Sequence, residues 1–402
     1  MHAYFSSRTV LALALLTCFV GYYPSGQTVW RVETVDPVGR VPPYISLALD
    51  VHGQPHIGYG DYNGVTESVR YLYYDNASWH AETLKSAYVG LSLALDLEGH
   101  PHFSSISRDY RNVRYTYYDG TSWHSETVAI RSPMATLPRY TSLALDKKGL
   151  PHISYLGDDV LAYAWNNGTS WQIQTVDGTE MVGEYSSLAL DAASRPHISY
   201  YDWRKGDLKY ASFDGTGWHI ETVDSDGNVG LNTSLALDAD DYPHISYFQE
   251  NPDTALLEQL KYAWYDGIIW HVEVVDSRGM GEYSSLDLDP RGYPHISYCV
   301  RRGQLNCDDL FYAWHDGSAW SIEKVVGGTA MFSSMVLDAT GSPHISYGSH
   351  EGLKYAYRVA KPTLPDTGGT TVGGWVWFGI GALVAVGFGL ALRWWSHAQR
   401  EE

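Results

Sequence analysis

A Pro-His pair recurs seven times along the chain, at Pro55, Pro101, Pro151, Pro196, Pro243, Pro294 and Pro343, with intervals of 46, 50, 45, 47, 51 and 49 residues. A repeat this regular means that each unit is one structural module, burying its apolar face against the next. The fourth unit shows the content: Ser187 to Asp191, Pro196 to Tyr200, Leu208 to Ala211 and Trp218 to Val223. Apolar and small or polar residues alternate within each segment, as strands require. Turn residues such as Asp214-Gly215 separate the segments.

Four short strands in nearly fifty residues form one propeller blade. The expected fold is all-β, a seven-bladed β-propeller over residues 28–358. The seventh unit lacks a Trp strand, while a spare one, Trp30 to Val35, precedes the first unit. Placing it beside Lys354 to Arg358 completes blade seven and removes an exposed sheet edge. Deletion of residues 28–36 is therefore expected to destabilise the whole ring.

Within each unit a Ser and a His stand ten residues apart, from Ser46/His56 to Ser334/His344, and an Asp closes the first strand, from Asp50 to Asp338. A Ser, a His and an Asp invite a catalytic reading. Seven equal copies argue for framework instead: the imidazole bonded to a hydroxyl or backbone group, the carboxylate capping the turn. No metal and no cofactor is expected, because the recurrent histidines fall in different blades. Gly at the third turn position of five units (Gly53, Gly99, Gly149, Gly292, Gly341) predicts a positive φ.

An Asp precedes the last-strand Trp by four residues in five units, and Asn166 precedes Trp171 by five in the third. This resembles the Asp-box hairpin of sialidase-like propellers. The resemblance implies fold and not activity, and the arginine triad and nucleophilic tyrosine of sialidases are not found. As a whole, the chain resembles secreted bacterial propellers with Pro-His-Ile-Ser-Tyr repeats.

The ends carry addresses. Residues 1–27, with Arg8 ahead of an apolar run from Thr9 to Val20, read as a signal peptide. Residues 359–371 form a linker containing Leu364-Pro365-Asp366-Thr367-Gly368, followed by an apolar stretch over 372–392 long enough to span a bilayer as a helix, then a cytoplasmic tail over 393–402. Trp375, Trp377, Trp394 and Trp395 flank the span. This order resembles the LPXTG cell-wall sorting signal, which implies a sortase partner and attachment through Thr367. The tail, with two Arg and two Glu, is less basic than that family's, so a plain membrane anchor is the alternative. The protein is expected on the extracellular face of a bacterium, anchored to cell wall or plasma membrane. There Cys299 and Cys307 are expected to form a hairpin disulfide.

A formal net charge of −19 repels phosphate backbones and excludes nucleic acid as a partner. Candidate binding residues come from the face whose loops vary in length. Two residues before the framework Ser, five units carry an aromatic: Tyr44, Tyr140, Tyr185, Tyr283 and Phe332; Glu184 and Glu282 adjoin two of them. Such a ring at the channel mouth suits a glycan or a protein ligand, unless the rings simply pack between blades. The leading expectation is an extracellular binding or adhesion module. The alternatives are a wall-associated glycoside hydrolase or lyase using Glu184 and Glu282, and a structural surface protein without a small ligand.

Overall fold

The computed structural model describes residues 28–360 apart from 38–43, 63–66, 85–87, 108–109, 132–139, 251–257, 279–281, 302–306 and 329. Among the described residues there are 28 strands, in seven four-stranded antiparallel sheets, and no helix. These are the blades of a seven-bladed propeller. In blade 4, strand A is Val182–Leu190, B is Pro196–Asp202, C is Asp207–Phe213 and D is Trp218–Asp224, in spatial order A-B-C-D. Residues Gln27–Val359 form one compact unit. The expected signal peptide, sorting motif (Leu364 to Gly368) and membrane span lie outside the described residues.

The last blade closes as the spare strand predicts. Thr28–Asp36 pairs with Gly352–Ala360, beside Pro343–Ser349 and Met331–Leu337. The incoming strand passes so tightly over Gly352 that a Cβ there would stand 2.1 Å from the Asp36 carbonyl oxygen. Only glycine fits, and its φ of 122° suits no other residue.

The core lies between blades. The strand-B apolar residue that follows each His, Ile198 in blade 4, is 0–1% exposed throughout. In six blades it faces a small strand-C residue in its own blade, as Ile198 faces Ala211; in blade 1 Ile57 faces Leu72. Leu188 and Ile198 of blade 4 share a cluster with Leu161, Tyr163 and Val176 of blade 3. Each fully buried side chain of this kind contributes roughly 1.5–3 kcal/mol, so each blade draws part of its stability from its neighbour.

Polar contacts repeat the scheme. Each framework Ser hydroxyl accepts the strand-A backbone N–H of the following blade, at 3.0 to 3.1 Å. The seven bonds, from Ser46 to Leu93 round to Ser334 to Leu47, close a ring. The strand-D Trp of each blade meets the strand-C Tyr of the preceding blade edge-on, as Trp218 meets Tyr163 at 5.5 Å between centroids.

Candidate functional site

The recurrent Ser, His and Asp do not form a triad. Each imidazole Nδ1 pairs with a strand-C tyrosine hydroxyl: His56 with Tyr71 at 2.6 Å, and likewise His102–Tyr115, His152–Tyr163, His197–Tyr210, His244–Tyr262, His295–Tyr312 and His344–Tyr355. In five blades Nε2 faces the strand-A Asp at 3.5 to 4.0 Å. That Asp caps the A–B turn, as Asp50 Oδ1 accepts from the backbone of His52 and Gln54. The five turn glycines have φ between 75° and 82°, and Ser194 and Asp241 take their place at 62° and 63°. Burial holds all seven imidazoles below their ordinary pKa, as expected of a neutral framework group.

The C–D turns are capped in the same way, with one correction to the spacing. In blade 3 the cap is Asn167, whose Oδ1 accepts from Thr169 and Ser170. Asn166 is the last residue of its strand, so the cap leads the Trp by four residues there too. Among the described residues one set of metal-ligating groups clusters, Asp96, Glu98 and His100. Asp96 spends its oxygens on the N–H groups of Glu98 and His100 and on His100 Nδ1; the cluster is the turn cap itself.

At the channel mouth the seven equivalent positions are Tyr44, Gly90, Tyr140, Tyr185, Asn232, Tyr283 and Phe332. Tyr44, Gly90, Tyr185, Asn232, Tyr283 and Phe332 have φ between 52° and 85°. For bulky side chains that conformation stores roughly 1–3 kcal/mol each. In blades 2, 4, 5, 6 and 7 strand A shifts register around this position, as between Glu184 and Ser187, so there the residue sits in a bulge. Its carbonyl is held by the next blade: Thr233 donates to Tyr185 O at 3.0 Å and Ser333 to Tyr283 O at 3.3 Å.

The rings pack mainly on one another. Tyr44 meets Tyr140 at 5.4 Å, Tyr140 meets Tyr185 at 4.6 Å, and Tyr283 meets Phe332 at 4.5 Å. Burial among these rings pushes the Tyr140 phenol far above its usual range. They enclose a cavity of about 180 Å³ floored by Ser and Thr residues.

A larger groove lies beside the mouth on the variable face, with a volume of about 1050 Å³. Blade 3 contributes Leu156; Met181, Glu184, Tyr185, Tyr201 and the hairpin Trp203 to Gly206 come from blade 4 and the loop entering it; Asn228, Leu231 and Glu250 come from blade 5. Trp203 is 57% exposed on a hairpin whose turn is fixed by Asp202 Oδ1, which accepts from the N–H groups of Arg204 and Lys205. At the base, Tyr201 donates to Asn228 Oδ1 at 2.5 Å, and Asn228 Nδ2 donates to Glu250 at 2.8 Å. Burial pushes the Tyr201 phenol up to about 12. Arg204 pairs with Glu180 at 2.8 Å. The groove thus offers one exposed indole, a fixed amide and carboxylates, a donor and acceptor set for hydroxyl-rich ligands.

Of the residues singled out in the sequence, Glu184 and Tyr185 line this groove. Tyr44, Tyr140, Tyr283 and Phe332 line the axial cavity with Tyr185. The Glu282 side chain lies outside the described residues. Cys299 is disulfide-bonded, and the Cys307 side chain also lies outside them. Trp203, Tyr201, Asn228 and Glu250 were not anticipated. The available signal was Trp203 itself, a tryptophan in a B–C loop rather than at a recurrent framework position.

No protein-family model matches the chain, and no curated protein matches it. Among solved structures it is similar to a polysaccharide lyase, ulvan lyase, in complex with -[GlcA(1-4)Rha3S]-, at 14% identity and a TM-score of 0.55, covering 83% of this chain and all of that one. A further structure of an ulvan lyase gives a TM-score of 0.54 over the same shares. The SapL1 lectin in complex with alpha methyl fucoside aligns at 13% identity and a TM-score of 0.48, over 72% of this chain and 99% of that one. What the two ulvan lyase structures share with the chain is the propeller fold.

Proposed function

We propose that this protein is a surface-displayed glycan-binding module that takes an extended saccharide in the groove between blades 3, 4 and 5. The observation that carries the reading is Trp203, an exposed indole on a pinned hairpin above the Tyr201–Asn228–Glu250 chain. A pyranose presents one apolar face and a rim of hydroxyls. The indole takes the face, and the carboxylates and amide take the hydroxyls. The same proposal holds the propeller outside a bacterium, exported by residues 1–27 and tethered through the LPDTG segment and the span after it, by sortase or by the membrane. The disulfide at Cys299 supports an oxidising compartment.

A polysaccharide screen tests this reading. A hit lost in Trp203→Ala and kept in Tyr283→Ala supports the groove. A hit lost in Tyr283→Ala and kept in Trp203→Ala moves the site to the axial mouth. The rival reading, a hydrolase or lyase, draws on Glu184 and Glu250 lining one groove. It requires new reducing or unsaturated ends to accumulate with the bound polysaccharide, and their loss in Glu184→Gln. No hit in the screen overturns the glycan reading and leaves a protein partner or a structural surface role.

A further inference from the structure

The opposite face carries a second opening, and it arises where the repeat breaks. In six blades the residue two positions after the strand-C tyrosine is aromatic: Tyr73, Tyr117, Trp165, Trp264, Trp314 and Tyr357. In blade 4 it is Ser212. The aromatic is a plate in a stack. In blade 2, Tyr117 lies opposite His102 on one side and His124 on the other. Its ring is 5.8 Å from the first, 5.1 Å from the second and 5.2 Å from Tyr115. Blade 1 repeats this with Tyr73 between His56 and His80, at 6.1 and 4.9 Å.

Blade 4 keeps both flanking histidines and loses the plate. Ser212 lies opposite His197 and His219 in register. The His219 side chain is 61% exposed, against 42%, 44% and 37% for His80, His124 and His271, which are covered by aromatic plates. A cleft of about 190 Å³ opens beside Ser212, lined by His197, Tyr210, Glu221, Asp241, Tyr242 and Trp270, among others. A closed apolar cavity of about 150 Å³ suffices for benzene.

The carboxylates at this cleft are fixed. Glu221 accepts the Trp270 indole N–H at 2.8 Å. Asp241, in the left-handed region at φ 63°, accepts the Ala192 N–H of the neighbouring turn at 2.9 Å. Each keeps acceptor capacity for a further donor.

We propose that this cleft binds a small planar aromatic amine, whose ring takes the place of the missing plate and whose ammonium meets Glu221 and Asp241. The site stands on the face opposite the glycan groove and does not depend on that reading.

The test is calorimetric titration of the purified full chain with tryptamine, with indole-3-acetate as the probe of opposite charge. Saturable one-to-one binding of tryptamine, tighter than that of indole-3-acetate, is expected. Ser212→Trp, the residue found at this position in blades 3, 5 and 6, fills the slot and is expected to abolish binding while keeping or raising the melting temperature. Ser212→Tyr, as in blades 1, 2 and 7, serves if the tryptophan variant does not fold. Failure of the wild-type chain to bind tryptamine, preference for indole-3-acetate, or undiminished binding by both filled variants overturns the proposal. Trp203→Ala is expected to leave tryptamine binding unchanged; loss there would place the binding in the groove and overturn it as well.

Discussion

The indole of Trp30 meets Tyr312 edge-on, 5.5 Å between ring centroids, and its Nε1 donates to Glu323 at 2.7 Å. Arg358 lies 5.2 Å over the same indole. The N-terminal strand thus makes with blade 6 the edge-on ring contact that every other strand-D Trp makes with its predecessor, and the first segment of the propeller holds the last blade in place.

Removing that contact is expected to weaken the ring as a whole. Trp30→Ala should cost roughly 2–4 kcal/mol, since it deletes a half-buried aromatic and one of the two donors to Glu323, which keeps Arg358. Deletion of residues 28–36 should cost more and lower a single cooperative transition. Urea melts followed by tryptophan fluorescence check this. A truncated chain that melts like the full one would show that closure contributes nothing.

Acid should unfold the protein earlier than its carboxylates alone would allow. All seven framework imidazoles are held below the ordinary value of 6.5, chiefly by burial, and His295 is pushed down to about 4. The unfolded chain therefore binds more protons than the folded one once pH drops below 6.5, and stability falls from there toward pH 4. His295 alone contributes a loss on the order of 3 kcal/mol over that window. The turn aspartates act lower. Asp75 is held at about 2, first by the Ser78 N–H, and Asp266 at about 2, first by His271. Their stabilisation is present above 3.8 and is lost only below it. Of the urea midpoints measured from pH 8 to pH 4, those above about pH 6.5 should change little and those below it should fall toward pH 4, and His295→Gln should flatten that fall although it starts from a lower midpoint.

The serine ring makes a different demand, that of equivalence. Ser142, Ser187 and Ser234 each accept one N–H of the next blade at 3.0 Å. Replacing any one with Ala leaves a backbone donor unpaired and should cost about 1–2 kcal/mol. The three costs should agree within about half a kcal/mol, as expected of one structural role in three copies. A single serine whose loss removes an activity without affecting stability would restore the catalytic reading.

The sequence showed what repeats at fixed spacing. Seven copies of Pro-His, a spare Trp strand and an Asp at each turn suffice for the blades, the closure and the caps, because these depend on neighbours within a hairpin. The partner of each imidazole was harder to find. The strand-C tyrosine lies 15, 13, 11, 13, 18, 17 and 11 residues after its histidine, since the B–C loop between them changes length, and a search at constant spacing settles on the serine. The groove was harder still. Tyr201, Asn228 and Glu250 belong to two blades and meet only through the curvature of the ring. The axial aromatics were found as a ring, but a left-handed backbone at Tyr44, Tyr185, Tyr283 and Phe332 sets how the rings meet, and no residue type announces it.

Gly58 supplies the last test, at a place where the repeat departs from itself. Six blades carry a strand-B Ser here, from Ser104 to Ser346, and blade 1 carries Gly. Ser104, Ser154, Ser199, Ser246 and Ser297 bond a Ser or Thr hydroxyl of the following blade. Blade 2 offers Leu91 instead, with Phe103 behind it. A Cβ on Gly58 would stand 2.5 Å from Phe103 Cε1 and 3.0 Å from Leu91 Cδ2. The glycine makes room for an apolar pair where five other interfaces place a hydroxyl pair. Gly58→Ala should therefore cost about 1–3 kcal/mol by overpacking. Phe103→Ile, which restores the residue found in the other blades, leaves space and should cost about 1 kcal/mol alone through lost packing. Combined, the two should cost less than their sum, because the added methyl occupies volume that the smaller side chain vacates. A double-mutant cycle from urea melts reads that coupling directly, and strict additivity would show that Gly58 is conformationally required and not a space-maker.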